Sequence, residues 1–326
     1  MDPWRPHACF LEDEPDAAGE LVRIATVFLT NRECPWRCVM CDLWRYALAE
    51  TLPLGAIPRQ IDHALDSLKS QTNASSNGGP PRLARQIKLY NAGSFFDPRA
   101  IPPADYPPIA ARVRAFERVI VECHPALVGQ SCLRFRDLLA AGHPGGQLPK
   151  LEIAVGLEVA HPDVLKKLNK GMSLDQFRRA AEFLQRHGIA LRVFVLVQPP
   201  FLEPAEAGLW AKRSIDFAFA CGATVLSLIP TRGGNGALET LAAHGNFVPP
   251  KLDALEAALE YGMALRRGRV FADLWDLEKF ANCPVCAAPR AARLREMNLC
   301  QTVLPSVRCD ACRPGPAPSH SPTDRS

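Results

Sequence analysis

Residues 31–44 read NRECPWRCVMCDLW and follow a branched, apolar run at residues 22–29, VRIATVFL. Cys34, Cys38 and Cys41 thus stand in a C-x3-C-x2-C spacing on the loop after a strand. Three thiolates on one short loop can each hold one iron of a [4Fe–4S] cube. The fourth iron then has no protein ligand, and such an open position can take the amino and carboxylate groups of a small molecule, as open zinc sites take substrate. A structural zinc site or three unrelated buried thiols are the bland alternatives, since buried cysteine is common.

Outward from this loop the chain alternates. Short apolar runs at residues 22–29, 86–90, 118–122, 151–156, 190–197 and 224–229 read as strands. Residues 57–68, 173–187, 206–220 and 251–266 read as helices, with Ser173 as a possible N-cap and Gly188 as a stop. Repeated strand and helix predict a parallel α/β sheet, closed as a barrel or open and doubly wound. In either form, reactive groups gather at the carboxyl ends of the strands.

The cysteine motif and its placement resemble the radical S-adenosylmethionine (SAM) superfamily. Met40 is a small departure, because an aromatic residue often precedes the third cysteine there. With KLYNAGSFFDP at residues 88–98, TNRECPWRCVMCDLW resembles the branch holding the Elongator catalytic subunit. Over most of residues 20–312 the likeness is closest to the radical SAM subunit of archaeosine synthesis. The resemblance implies a partial (β/α)6 barrel with a small Cys-rich metal module. It also implies a [4Fe–4S] cluster that cleaves SAM reductively to methionine and a 5′-deoxyadenosyl radical, which abstracts hydrogen from a substrate.

The same resemblance implies SAM contacts. Asn91, Ala92, Gly93 and Ser94 occupy the stretch whose backbone meets the SAM amino group. Glu122 is placed to take the ammonium or a ribose hydroxyl, and Glu158 faces the ribose where the Elongator-like pattern has glutamine. Leu228 and Ile229 stand where the sixth strand frames adenine. Lys167 and Lys170 can pair with the SAM carboxylate or with RNA phosphate, or simply face solvent from a helix. His124 reads as a structural histidine rather than a proton carrier. No catalytic residue is named.

Cys283, Cys286, Cys309 and Cys312 form CxxC-x22-CxxC. Two such turns complete a zinc tetrahedron, or close a second iron–sulfur cluster. A thioredoxin-like pair is disfavoured because neither CxxC is expected to open a helix after a strand. Arg290, Arg293 and Arg295 lie between the pairs and can contact RNA backbone or face solvent. Cys9, Cys123, Cys132, Cys221 and Cys300 read as ordinary thiols. The expected organisation is an extended lead-in at 1–20, the barrel at 21–275, the metal module at 276–313 and a disordered Pro/Ser-rich tail at 314–326, with a surface loop at 70–81.

Composition bounds the class. Of 326 residues 48% are hydrophobic and 22% charged, as in ordinary soluble domains. Twelve cysteines in that length fall well short of the ~8–10% of a disulfide scaffold. The acidic opening lacks a secretory pattern, and no apolar run approaches the ~18 residues that span a bilayer, so a cytoplasmic location without membrane contact is expected. The formal charge of +4 excludes a histone-like binder. A cluster at about −1 and a four-thiolate zinc at about −2 reduce it to about +1. The expected function is a radical SAM enzyme acting on a 7-deazaguanine base in tRNA. Its expected partners are a flavodoxin or ferredoxin as electron donor, tRNA, and an enzyme that supplies the base adduct. Action on a small molecule or free nucleoside, and a non-catalytic metal-binding scaffold, are the alternatives.

Overall fold

The computed structural model describes residues 1–74, 82–141 and 148–312. In chain order the elements are β1 (Ala8–Pro15), β2 (Leu21–Leu29), α1 (Ala56–Ala74), β3 (Gln86–Asn91), α2 (Tyr106–Val113), β4 (Arg118–Glu122) and α3 (Gln130–Ala140). Then come β5 (Lys150–Glu158), α4 (Pro162–Lys167), α5 (Leu174–Arg186), β6 (Ala190–Val197), α6 (Ala207–Ala220), β7 (Val225–Pro230), α7 (Ala237–Ala243), α8 (Leu252–Ala264), β8 (Arg269–Ala272) and α9 (Pro284–Cys300).

The strands form one sheet in sequence order, β1 to β8. β1 pairs antiparallel with β2, and every later pair is parallel. Outward-facing apolar residues such as Val27, Ile87, Leu89, Val119, Ile153, Val193 and Leu226 pack under the helices. The Ser173 hydroxyl accepts from the Gln176 amide at 3.2 Å and so opens α5 as expected.

The sheet is strongly curled. Arg192 on β6 pairs with Glu14 on β1 at 2.9 Å. In a flat sheet those strands would stand about 24 Å apart. The contact therefore crosses the lumen of a half-barrel. Glu152 joins Arg192 at 2.8 Å and Arg118 at 3.0 Å, while Lys88 pairs with Glu12 and Glu14. This buried charge group fills the lower lumen. Above it lies an aromatic layer, with Phe28, Tyr90 and Phe194 in successive ring contacts at 6.0 Å.

The expected α/β half-barrel is what the chain forms, with six parallel strands at the expected places. Four expectations are corrected. Residues 8–15, expected in a lead-in, are strand β1. The short β8 was not anticipated. Residues 70–74 continue α1 instead of opening a loop; 75–81 and the expected tail at 314–326 lie outside the described residues. The first CxxC does open a helix, with Cys283 at the N-cap position of α9.

β1 and β8 do not pair, and α9 packs against both. Two amide side chains at the C-terminal end of α9, Asn298 within it and Gln301 just past it, dress the free edge of β8. Asn298 accepts from the Ala272 N–H at 2.9 Å and donates to its carbonyl at 2.8 Å. Gln301 does the same for Val270, at 2.8 and 3.0 Å. Each replaces the hydrogen bonds that another strand would make. No helix among the described residues is long and apolar enough to cross a membrane.

Candidate active site at the carboxyl ends of the strands

The cysteine loop leaves β2 and is pinned from several sides. Asn31 donates to and accepts from the Ala92 backbone, at 3.3 and 3.0 Å. Asn169 donates to the carbonyls of Trp36 and Arg37, at 3.1 and 3.3 Å. Asn235 donates to those of Val39 and Cys41, at 2.7 and 3.3 Å. The Gly-rich loop at 233–236 is thus a brace for the cysteines. These asparagines were missed in the sequence, and only their neighbourhood to Cys34, Gly171 and the glycine run hinted at them.

Gly93 meets this loop at the end of β3. Its φ is +128°, and a Cβ there would stand 3.0 Å from the Cβ of Cys34 and 3.3 Å from its sulfur. Only glycine fits both the conformation and the approach. Beside it, both polar atoms of the buried Asn91 amide have no partner. Ala92 is clamped by Asn31, and the Ser94 hydroxyl accepts weakly from the Phe96 amide at 3.4 Å. Of the four expected residues, Asn91 and Gly93 therefore hold free polar or open space at the site, whereas Ala92 and Ser94 shape the turn.

Glu122 ends β4 on the lumen side. Burial pushes its carboxyl up to about 8, against a smaller pull from the backbone N–H of Asn91 and from Lys170. Glu158 ends β5 after an irregularity between Gly156 and Glu158, in left-handed backbone at φ +66°. It pairs with Lys170 at 2.5 Å; Glu158 is buried and Lys170 is mostly covered. A Cβ on Gly156 would overlap both charged tips. Lys170 is thus no solvated helix residue. Burial draws its ammonium down, but Glu158 and Cys38 outweigh that and leave it raised.

His124 is structural, as read. Its Nδ1 accepts from the Ala126 amide at 3.2 Å, so its Nε2 donates to the Lys170 carbonyl at 2.9 Å. Burial pulls it down to about 4, and its neutral ring stacks on Trp36 at 3.7 Å. Strand register separates the last two expected residues. Ile229 pairs with Leu196 on the lumen face, whereas Leu228 pairs with Val195 and faces the helix layer. Leu228 is core and cannot present its side chain to a lumen ligand. Lys167 lies over the Phe201 ring at 5.7 Å.

Burial pushes the loop thiols up, Cys38 to about 11 and Cys41 to about 12, with Cys34 also raised. Thiolates buried like this need a cation, which is the demand a metal cluster meets. The donor set fits an iron–sulfur cluster, and the unpartnered Asn91, the buried acid and the buried lysine fit a zwitterionic ligand next to it.

The second cysteine group is tighter. Sγ of Cys283 lies 3.9 Å from that of Cys309, and Cys286 lies 3.7 Å from Cys312. All four sulfurs fall within 4.8 Å of one another. The Cys286 amide at the helix start draws Cys283 down to about 7. Arg290 pairs with Glu256 of α8 at 2.5 Å, and Arg293 with Glu260 at 2.7 Å. Arg293 also donates to the Leu304 and Pro305 carbonyls, which turns the chain back toward the first cysteine pair. Two of the three arginines expected to face RNA or solvent therefore hold the module together. Arg269 likewise lies in β8 and donates to the Pro15 carbonyl at 2.8 Å. Cys9, Cys123, Cys132, Cys221 and Cys300 stand outside this group among the described residues.

No family model matches the chain. Over 298 residues it is 24% identical to archaeosine synthase subunit beta of Methanosarcina acetivorans, covering 87% of this chain and 80% of that one. Among solved structures it is similar to Elp3 of the archaeon Methanocaldococcus infernus, with a TM-score of 0.52 and 13% identity, over 74% of this chain and 59% of that chain. It is also similar to TsrM, a radical S-adenosylmethionine methyltransferase of Kitasatospora setae, with a TM-score of 0.45 and 17% identity. That match covers 66% of this chain and 38% of TsrM, so the chain spans well under two thirds of either solved protein. In fold the chain is of the radical SAM type, and in sequence it is distantly related to archaeosine synthase subunit beta.

Proposed function

We propose that this chain is a radical SAM enzyme that modifies a base in tRNA by archaeosine-like chemistry. The observation that carries the SAM reading is the convergence, at one end of the half-barrel, of three thiols, bare Gly93 backbone, the unpartnered Asn91 amide, a buried acid and a buried lysine. Cys34, Cys38 and Cys41 would hold a [4Fe–4S] cluster. Glu122 and Asn91 would take the SAM ammonium, Lys170 its carboxylate, Glu158 the ribose hydroxyls and Ile229 the adenine face. Bound there, cluster and SAM together supply a 5′-deoxyadenosyl radical for hydrogen abstraction. The residues of the chain orient SAM and keep water from it. Glu122 stays protonated near neutral pH until a cation arrives, and the aromatic layer below closes the lumen.

The tRNA substrate is supported by the name of the 24% identical relative. In this reading a flavodoxin or ferredoxin delivers the electron, and a partner enzyme supplies the lysine-bearing base adduct. The internal use of Arg269, Arg290 and Arg293 favours a second reading, action on a free nucleoside or small molecule. Salt-dependent tRNA binding supports the first, and indifference to RNA the second.

For the C-terminal thiolates, which could hold zinc or a second iron–sulfur cluster, we propose zinc. Zn–S bonds of ~2.3 Å put tetrahedral neighbours about 3.8 Å apart, and the observed pairs stand at 3.9 and 3.7 Å. On a cube each thiolate serves its own iron, which spreads the sulfurs further.

The test is anaerobic reconstitution with iron and sulfide, followed by dithionite and SAM. The wild type is expected to form 5′-deoxyadenosine and the Cys38→Ala variant none. Equal product from both would end the enzymatic reading.

A further inference from the structure

The span between the first two cysteines carries an indole that is tied to Lys170. Trp36 is half-buried, and its ring lies flat on that of His124, with centroids 3.7 Å apart and planes at 11°. Gly171 also lies against the indole. Its φ is +68°, and a Cβ there would stand 2.6 Å from the ring. The indole has room only because residue 171 carries no side chain.

Both ring nitrogens of His124 are engaged, so that ring is fixed. Nδ1 accepts from the Ala126 amide, and Nε2 donates to the Lys170 carbonyl at 2.9 Å. The backbone of Lys170 is therefore held by the ring on which Trp36 rests. Its neighbours meet the cysteine loop directly. The Leu168 carbonyl accepts from the Val39 amide at 3.0 Å, and the Asn169 side chain donates to the carbonyls of Trp36 and Arg37. Every residue from 168 to 171 is thus joined to the cysteine loop, directly or through His124. The Lys170 ammonium pairs with Glu158 and stands in electrostatic range of Cys38 and Cys41.

Resting on the radical SAM reading, we propose that Trp36 and His124 are positioning residues that set Lys170 against the cluster loop to receive the SAM carboxylate. A cluster and the group that binds the ligand beside it must keep a fixed spacing. Here they lie on separate loops, one after β2 and one after α4. The line from indole to imidazole to carbonyl supplies that spacing. A packing role would ask only for apolar bulk at residue 36. This line asks for a flat face at 36 and an N–H at 124.

The test uses the full chain after anaerobic reconstitution, with SAM as the ligand. Trp36→Leu removes the flat face, Trp36→Phe keeps one, and His124→Phe keeps the stack but deletes the N–H. All three are expected to hold the wild-type content of iron and sulfide. In Trp36→Leu and His124→Phe the SAM dissociation constant from equilibrium dialysis, and the KM for SAM cleavage, should rise roughly three- to tenfold, with a smaller change in kcat. The change that SAM induces in the electron paramagnetic resonance of the reduced cluster should need correspondingly more SAM. Trp36→Phe should recover most of the wild-type affinity. The double variant Trp36→Leu with His124→Phe should bind no more weakly than either single one, because both break the same line. Unchanged affinity in Trp36→Leu, affinity lost only in step with cluster content, or additive losses in the double variant would each overturn the proposal. A wild-type cluster whose resonance ignores SAM would overturn the radical SAM reading itself, and the proposal with it.

Discussion

Glu122 shows how one residue can carry a pH signature. Its carboxyl is held at about 8 in the folded chain against an ordinary 4.5, chiefly by burial. A raised acid contributes stability that is full below the unfolded value and is lost as pH rises toward the folded one. The ligand-free protein should therefore lose stability from about pH 4.5 to pH 8 through this group, then level off. Glu122→Gln removes the ionisation while keeping the shape. Its melting temperature should match wild type near pH 5 and exceed it at pH 8.5, while its affinity for SAM falls. Parallel pH profiles in the two proteins would show that Glu122 is not a buried acid. Gly156 offers a second residue-scale test. Gly156→Ala drives a methyl into the Glu158–Lys170 pair. The atoms it meets are the flexible ends of both side chains, so they can shift aside and the cost in stability should be small. The denaturant midpoint should change little, while affinity for SAM should fall as the tips of Glu158 and Lys170 are displaced.

Among the elements, α9 behaves as a substitute strand. Asn298 and Gln301 satisfy alternate residues of β8, and Arg290 and Arg293 anchor the helix to α8. The four thiolates tie its start to the returning chain. Asn298→Ala with Gln301→Ala should cost about 1–3 kcal/mol for each edge group left unsatisfied, read as a lower denaturant midpoint. Cys283→Ser with Cys286→Ser should loosen the same helix. It should leave the visible absorbance of a cluster on Cys34, Cys38 and Cys41 intact, and loss of that absorbance would mean the two metal sites are not independent. The legibility of elements follows from burial. β2 through β7 were readable because their helix-facing sides carry rows of apolar residues, such as Ile87 and Leu89 or Leu191, Val193 and Val195. β1 was not, because its lumen face carries Glu12 and Glu14 and so reads as polar. α9 was hidden by Pro289 within it and by arginines that look solvated but are paired. The group of Cys283, Cys286, Cys309 and Cys312 was legible from spacing alone. Asn31, Gly156 and the pairing of Lys170 with Glu158 were not, since the partners converge only after folding: Asn31 meets Ala92, 61 positions away.

At the scale of the whole molecule, the lumen charge group holds the curl. Arg192 is 2% exposed and Glu152 0%, and together with Glu14 they join β1, β5 and β6 across open space. Burial raises Glu14 and Glu152 and is the largest single influence, but the cations together outweigh it and leave both lowered, Arg192 and Lys88 for Glu14 and Arg192 and Arg118 for Glu152. Lowered acids contribute stability above their unfolded value, and that stability is lost as pH falls through the folded one. Acid should thus attack this group below about pH 4.5, the opposite side of neutrality from Glu122. Arg192→Met leaves two buried carboxylates short of a partner, at a cost of about 3–5 kcal/mol. Adding Glu152→Gln removes one of those stranded charges. The double variant should therefore be more stable than Arg192→Met alone, with a coupling of roughly 0.5–3 kcal/mol. Urea midpoints at pH 7 and pH 4 test both points. The gap between wild type and Arg192→Met should narrow at pH 4, where protonation begins to relieve the stranded acids. An unchanged gap, together with additive single and double effects, would mean that the curl is held by the apolar layer and not by the charges beneath it.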